Sequence, residues 1–334
     1  MKKYISMILS IMLSVILLVG CSQKTEEIPE VPKDNLVEPV NVKVIAPDGL
    51  PSISIAKLAK EKIEVKEGYD IDYTVEKTPE TLSTAVMKEE PDIAIVPSNM
   101  ASIAYNKTFN YKIAGTVGMG SFYLVSTEDI KDMEDLVGKE VGNTGKALTP
   151  DITVQAILKE KGINPEEINF NYVNGASELV PLLATGKITT GFVPEPALSG
   201  LMSKNENIKI IKSLNDEWID MFGSKEGYPQ STIIVKGDFA EKNKEFVNTF
   251  LTQLSDSIKW ANENPQNAGE YAKEIGLTTE PAVIGKAMER SNLRFVGIED
   301  MVEDYNDYYK KLFDFDVKSV GGKLPDEGIY FIEK

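Results

Sequence analysis

The sequence predicts an α/β protein of two lobes whose chain crosses between them twice. Three observations predict it. From Val42 onward, strand-like and helix-like segments alternate, the pattern of a sheet with crossover helices. After Ser126 the pattern restarts as a second set, and a β-branched strand at Gln230–Val235 leads back. Beyond the first 40 residues, about 290 remain, more than one core ordinarily holds.

The chain begins with a processing signal. Met1-Lys2-Lys3 is basic, and Ile5 to Val19 is an apolar run broken only by serines. The run is shorter than the roughly 20 residues of a membrane span and ends in Leu18-Val19-Gly20-Cys21, so residues 1–20 read as a signal peptide. The ending resembles the lipobox of bacterial lipoproteins. That resemblance implies cleavage before Cys21, acylation of its thiol (palmitate or a related chain) and attachment to the outer face of the cell membrane. Cys21 is the only cysteine, so no disulfide framework is possible. Residues 21–40 interleave Glu26, Glu27, Glu30, Asp34 and Glu38 with Pro29, Pro32 and Pro39, the composition of an extended tether.

Val42–Ala46 is the first expected strand. Pro47 to Pro51 is turn chemistry, and Ser52 is placed to cap a helix from Ile53 to Glu61. Ile71–Val75 precedes Thr78 as N-cap and Pro79 at the first helical position. Ile93–Val96 ends at Pro97-Ser98-Asn99, before a helix over Met100–Tyr105. Strands at Lys112–Val117 and Ser121–Ser126 flank a glycine corner. The second set runs through Asp135–Gly142, the loop Asn143–Pro150, a helix over Asp151–Lys161 closed by Gly162, a strand at Phe170–Val173, a helix over Glu178–Ala184 and a strand at Thr190–Val193. After Gln230–Val235 come helices at Asn243–Asn262, Asn267–Ile275, Glu280–Glu289 and Ile298–Leu312. The expected lobes are residues 41–122 plus 234–334 and residues 123–233. No internal repeat is visible.

Composition removes whole classes of function. The net charge is −16 with no basic cluster, which argues against a phosphate backbone as partner. The sequence contains no histidine and one cysteine. Zinc sites of the usual kind, Ser-His-Asp triads and Cys-His dyads are therefore excluded together. No calcium-loop spacing is present, and no cofactor is expected.

Four stretches, taken in order behind the lipobox, resemble the substrate-binding proteins of bacterial ABC importers for aliphatic sulfonates, taurine, nitrate and thiamine-pyrimidine precursors. They are Asp92-Ile93-Ala94-Ile95-Val96-Pro97; Asp135-Leu136-Val137-Gly138-Lys139-Glu140-Val141-Gly142; Gly162-Ile163-Asn164-Pro165-Glu166-Glu167-Ile168; and Gly186 to Pro196, reading GKITTGFVPEP. The similarity runs over nearly all of residues 41–275. It implies a periplasmic-binding-protein fold of the second type, with a solute cleft between lobes and a hinge that closes on the solute. The reading that follows is a partner of an ABC permease with its ATPase, without catalytic chemistry, and a monomer is expected. Relatives that bind sulfonate or nitrate tend to supply several donors, whereas Arg290 and Arg294 are the only arginines here.

Candidate site residues follow from position, each with a structural alternative. Gly49, Leu50 and Ser52 lie at a helix start, where backbone N–H groups suit an anion or Ser52 simply caps. Ser98 and Asn99 sit where a strand ends and a helix begins, the ligand side of open α/β sheets, or form a local turn. Asn143, Thr144 and Thr149 surround a loop that Gly145 opens to close approach. Met119 and Phe122 suit an apolar cleft wall or the core. Glu195, between two prolines, suits an amino-bearing ligand or is a solvated turn. Gln230 begins the return strand. Tyr228 and Trp218 can stack on a planar ligand, Trp218 from a long polar loop. Arg294 offers a fork for an anion or pairs with one of 52 acidic residues. The acidic side of the last helix, Glu299 to Asp307, reads as a solvated face.

Two other functional classes stay open. An enzyme of this fold, of the pyrimidine-synthase or menaquinone-pathway dehydratase type, is opposed by the missing histidine in the first case and the lipobox in the second. A surface sensor or adhesion lipoprotein would keep the anchor and need no closing cleft.

Overall fold

The computed structural model describes residues 39–332 apart from 145, 147 and 148. Cys21, the leader and the tether before Pro39 lie outside the described residues. In chain order, β1 (Val40–Pro47), β2 (Tyr69–Glu76), β3 (Ile93–Pro97) and β4 (Tyr111–Met119) enter a first sheet. A second sheet takes β5 (Phe122–Ser126), β6 (Glu140–Thr144), β7 (Asn169–Val173), β8 (Thr190–Pro194) and β9 (Lys209–Ser213). The chain then returns with β10 (Pro229–Lys236) and β11 (Leu293–Gly297). The first sheet has the order β11-β4-β10-β3-β1-β2, the second β7-β6-β8-β5-β9. In each, a parallel core meets antiparallel strands that carry the chain in or out: β10 runs against β3 and β4, and β5 runs against β8 and β9.

The helices, in order, are α1 (Leu50–Glu61), α2 (Pro79–Met87), α3 (Ser98–Thr108), α4 (Thr149–Glu160), α5 (Ala176–Ala184) and α6 (Ala197–Met202). They continue as α7 (Leu214–Phe222), α8 (Gly237–Lys242), α9 (Lys244–Glu263), α10 (Pro265–Glu274), α11 (Pro281–Ala287) and α12 (Val302–Phe315). None of the described helices is long and apolar enough to cross a membrane.

The local rules hold at α2, where the Thr78 hydroxyl accepts from the Thr81 N–H at 3.2 Å and Pro79 opens the helix. They shift at α1. Gly49, at φ 134°, lets the helix begin at Leu50 rather than after Ser52, and the Ser52 hydroxyl donates back to the Pro47 carbonyl at 2.8 Å. Helix α3 likewise starts at Ser98, two residues before the expected Met100. Strand β10 is hydrogen-bonded to the first sheet from Pro229 onward, so residues 229–233 share a ladder with β4 rather than with the second sheet.

Strands β9 and β11 and helices α6 and α7 fall outside the elements the sequence pattern predicts. Their cues are nonetheless present at α7: the Ser213 hydroxyl accepts from the Asp216 N–H at 3.3 Å, and Gly223 closes the helix at φ 69°. Trp218, expected in a polar loop, lies inside α7 and is 3% exposed. Polar neighbours masked the helical period, because Asn215 and Glu217 are themselves buried.

One hydrophobic cluster lies between the first sheet and α9–α11, and a smaller one lies within the second lobe. The third spans both lobes, running from Val96 and Tyr105 through Tyr308 and Trp218 to Ile152 and Phe192. At its centre, buried hydroxyls form a chain. Ser98 bonds Thr232 at 2.6 Å, Thr232 bonds Tyr305 at 2.6 Å, and Tyr305 bonds Thr116 at 2.8 Å. Burial pushes the Tyr305 phenol up to about 12, so it is protonated and can donate at any physiological pH. Replacing Tyr305→Phe removes the partner of the buried Thr116 hydroxyl and leaves Thr232 only Ser98, and urea titration should show a loss of about 1–2 kcal/mol with an unchanged m-value.

Candidate functional site

Between the two lobes lies a cleft of 870 Å³, a volume suited to a small organic molecule. The first lobe contributes Gly49 and Leu50 at the start of α1, Lys77, Met119, and Gln230 with Ser231. The second contributes Phe122, Ser177 and Val180, the turn Pro194-Glu195-Pro196, and Lys204. Strands ending at Pro47 and Pro194 deliver the chain to this space, as the strand-end rule for open α/β sheets requires.

Of the residues singled out from sequence, Gly49, Leu50, Met119, Phe122, Glu195 and Gln230 border the cleft. Ser52, Ser98, Asn99, Asn143 and Thr144 do not, and the Thr149 side chain lies outside the described residues. Ser52 is spent on the Pro47 carbonyl, and Ser98 is fully buried in the hydroxyl chain. Asn143 is fully buried too, donating to Asp151 at 3.1 Å and accepting from the Thr144 N–H at 2.8 Å. Trp218 packs edge-on against Tyr308 at 5.4 Å. Arg294 pairs with Glu226 at 2.7 Å. Neither borders the cleft. Short polar residues at strand ends thus divide between the cleft and internal hydrogen bonding, a division that depends on partners distant in sequence.

Glu195 is not the solvated turn its flanking prolines suggested as the alternative. Its side chain is fully buried, and its carboxylate accepts from the Ser199 N–H at 3.0 Å, the Ser199 hydroxyl at 3.1 Å and Arg290 Nε at 2.7 Å. Burial raises its pKa, and the Ser199 N–H and the guanidinium oppose that rise. Arg290 itself comes from the first lobe, just after α11, and leaves the carboxylate little charge to offer a ligand.

The remaining charges at the cleft are Lys77 and Lys204 against Asp48. Helices α1 and α5 also start at this space, with Gly49 and Gly175 as N-caps and no side-chain cap on either. Uncapped first-turn N–H groups carry partial positive charge, but Pro51 has none to offer at α1 and Glu178 stands in the first turn of α5. Within a chain of net charge −16, the two lysines outnumber Asp48 at the cleft. Lys77, Ser177 and Lys204 were missed from sequence, since each lies in an ordinary turn or helix start with no motif to mark it.

The hinge forms the floor of the cleft. The Gly120 N–H donates to the Tyr228 carbonyl at 3.1 Å and to Asn215 Oδ1 at 3.1 Å. Gln230 clasps Ser121 twice, accepting from its N–H at 2.8 Å and donating to its hydroxyl at 3.0 Å.

The family described as NMT1/THI5 like matches residues 65–268, more than half of the 334-residue chain. The chain belongs to the NMT1/THI5-like family. No curated protein matches the sequence. Among solved structures, an ABC transporter protein from Parabacteroides distasonis is similar at 24% identity and a TM-score of 0.76, covering 88% of this chain and 100% of its own. The periplasmic aliphatic sulphonate binding protein SsuA from Escherichia coli is similar at 14% identity and 0.72, covering 89% and 93%. The periplasmic nitrate-binding protein NrtA from Synechocystis PCC 6803 follows at 12% and 0.61, covering 85% and 84%. This NMT1/THI5-like chain thus has the type II periplasmic-binding-protein fold, two α/β lobes joined by a two-crossover hinge.

Gly120 has no room for a side chain, because an added Cβ would collide with the Tyr228 ring. Gly120→Ala should therefore cost about 1–3 kcal/mol, read as a lowered midpoint of thermal unfolding.

Proposed function

We propose that the protein is the extracytoplasmic solute-binding lipoprotein of an ABC importer. Its cleft takes a small organic or anionic solute, of sulfonate or taurine type or of thiamine-pyrimidine type. The observation that carries this reading is the 870 Å³ cleft with walls from both lobes. A solute touching both walls stabilises the closed arrangement, and that population shift is a signal a permease can read. The two lysines at the cleft, Lys77 and Lys204, against Asp48 support an anionic group on the solute. Met119, Phe122 and Val180 support an apolar body. The similar proteins from Escherichia coli and Synechocystis, named for sulphonate and nitrate binding, support the solute class.

The same reading has Cys21 as the lipidated mature N-terminus, two lobes that divide at the crossings beside Ser121 and Pro229 rather than at residues 122 and 233, and a monomer working with a permease and its ATPase. It gives the cleft no chemistry of its own. Glu195, its one deeply buried carboxylate, is neutralised by Arg290, and the sequence has no histidine to serve as a base.

A thermal-shift screen against taurine, short alkanesulfonates, nitrate and thiamine-pyrimidine precursors tests the reading. A solute at about 100 times its Kd adds about 2.7 kcal/mol of native-state stability, a rise of a few degrees in Tm. Silence across all four groups would remove these solute classes. For an anionic hit, Lys204→Ala should weaken binding about tenfold, with the loss shrinking at high salt. Cys21→Ser should release the protein from membranes into the medium, whereas an unlipidated protein would partition identically with either residue.

A further inference from the structure

Outside the cleft, apart from the half-exposed Arg294–Glu226 pair beside the second crossing, two contacts of different character join the lobes. One is apolar. Tyr308 of α12 packs against Trp218 of α7 at 5.4 Å and against Tyr228 at 6.0 Å, and its hydroxyl lies 3.3 Å from that of Thr153 in α4. Lys311 of α12 sits 3.8 Å over the Phe222 ring. These groups belong to the hydrophobic cluster that runs unbroken through both lobes.

The other contact is polar and borders the cleft. Arg290, from the first lobe, donates through Nε to Glu195 at 2.7 Å and through a second nitrogen to Ser199 at 2.8 Å, both in the second lobe. The Tyr123 hydroxyl returns the contact, donating to the Arg290 carbonyl at 2.7 Å. Arg290 does not border the cleft. It faces a separate groove of 410 Å³ with Ser203 and Lys286.

We infer that Arg290 is a positioning residue for solute capture: it pins Glu195 and the start of α6 across the lobes, and the seam it closes between α6 and α11 is the one that opens, while the α12 contact stays shut. The reason is the difference in what each contact loses when parted. Separating α12 from α4 and α7 exposes fully buried aromatic surface to water, which is unfavourable throughout. Separating Arg290 from Glu195 exchanges one set of hydrogen bonds for water, and the buried carboxylate gains hydration in return. Without Arg290, the closed seam would leave that carboxylate buried on neutral donors alone. Lysine can replace the charge but not the two donors that reach Glu195 and Ser199 at once.

The consequence for capture rests on the solute-binding reading, but the test needs no solute. Hydrogen exchange is followed by mass spectrometry on the full chain, on Arg290→Ala and on Arg290→Lys. Amides of α6 and α11 should exchange about tenfold faster in Arg290→Ala, with Arg290→Lys intermediate, while α4, α7 and α12 keep wild-type protection. Wild-type protection of α6 in folded Arg290→Ala would overturn the inference. Equal acceleration in α4, α7 and α12 would also overturn it, since that is general destabilisation. Should the alanine variant fail to fold, Arg290→Lys decides: faster α6 exchange alone supports the inference, and unchanged exchange overturns it. A protein that bound none of the screened solutes would leave either result standing.

Discussion

Two sheets with separate ladders can be placed relative to one another only by the segments that run between them, and here those segments touch. The first crossing, at Gly120 and Ser121, and the second, at Tyr228 to Gln230, exchange backbone and amide hydrogen bonds at about the length of a sheet ladder. Each satisfies polar groups that the other would otherwise leave buried and unpaired. The pair therefore behaves as one short ribbon rather than two independent linkers. Asn215 of α7 and Asn292 near β11 both reach Gly120, one to its N–H and one to its carbonyl. The ribbon is thereby tied to both lobes. The Ser121 carbonyl accepts from the Glu195 N–H at 2.9 Å, so the deepest cleft wall hangs from the same ribbon.

Charge is arranged on that frame with a clear segregation. The sequence carries 52 acidic against 36 basic residues, and a uniform distribution would repel an anion everywhere. At the cleft, the one buried carboxylate is neutralised by an arginine held outside the cavity, and lysines outnumber the free acid. The exposed excess of acid lies elsewhere, along α12 and the outer edge of β2, where Asp70 and Asp72 alternate with half-buried Ile71 and Tyr73. An edge strand with charged residues on one face resists pairing with a second chain. The same negative charge can thus protect an edge without reaching the cleft, because screening limits its range to about 8–10 Å.

The alternation of elements was legible in the sequence because it rests on local period and turn chemistry: Thr78-Pro79 at α2 and the apolar run Ile93–Val96 behave as their composition demands. The misses share a cause. Helix α7 buries Asn215 and Glu217 beside Leu214 and Trp218, and β9 carries Lys209 and Lys212 within five residues, so neither shows a clean period. Their polar groups are satisfied by partners far away in sequence, such as Gly120 for Asn215 and Lys161 for Glu217. The site was legible to the same extent. Strand-end position led to Gly49 and Glu195, but it led equally to Ser98 and Asn143, which are taken up by Thr232 and Asp151.

What the cleft recognises depends on which donors it retains, and here they differ in kind from an arginine-lined site. A guanidinium presents a fixed planar fork and selects for oxygens at matching spacing. Lys77 and Lys204 present compact charges on flexible stems, which attract an anion without fixing its orientation. Orientation must then come from rigid parts: the backbone at the starts of α1 and α5, and the apolar faces of Met119, Phe122 and Val180. For an anionic solute in this cleft, charge therefore governs affinity and its salt dependence. Shape governs which anion is accepted, and the relevant shape is set by how far the α6–α11 seam lets the lobes approach.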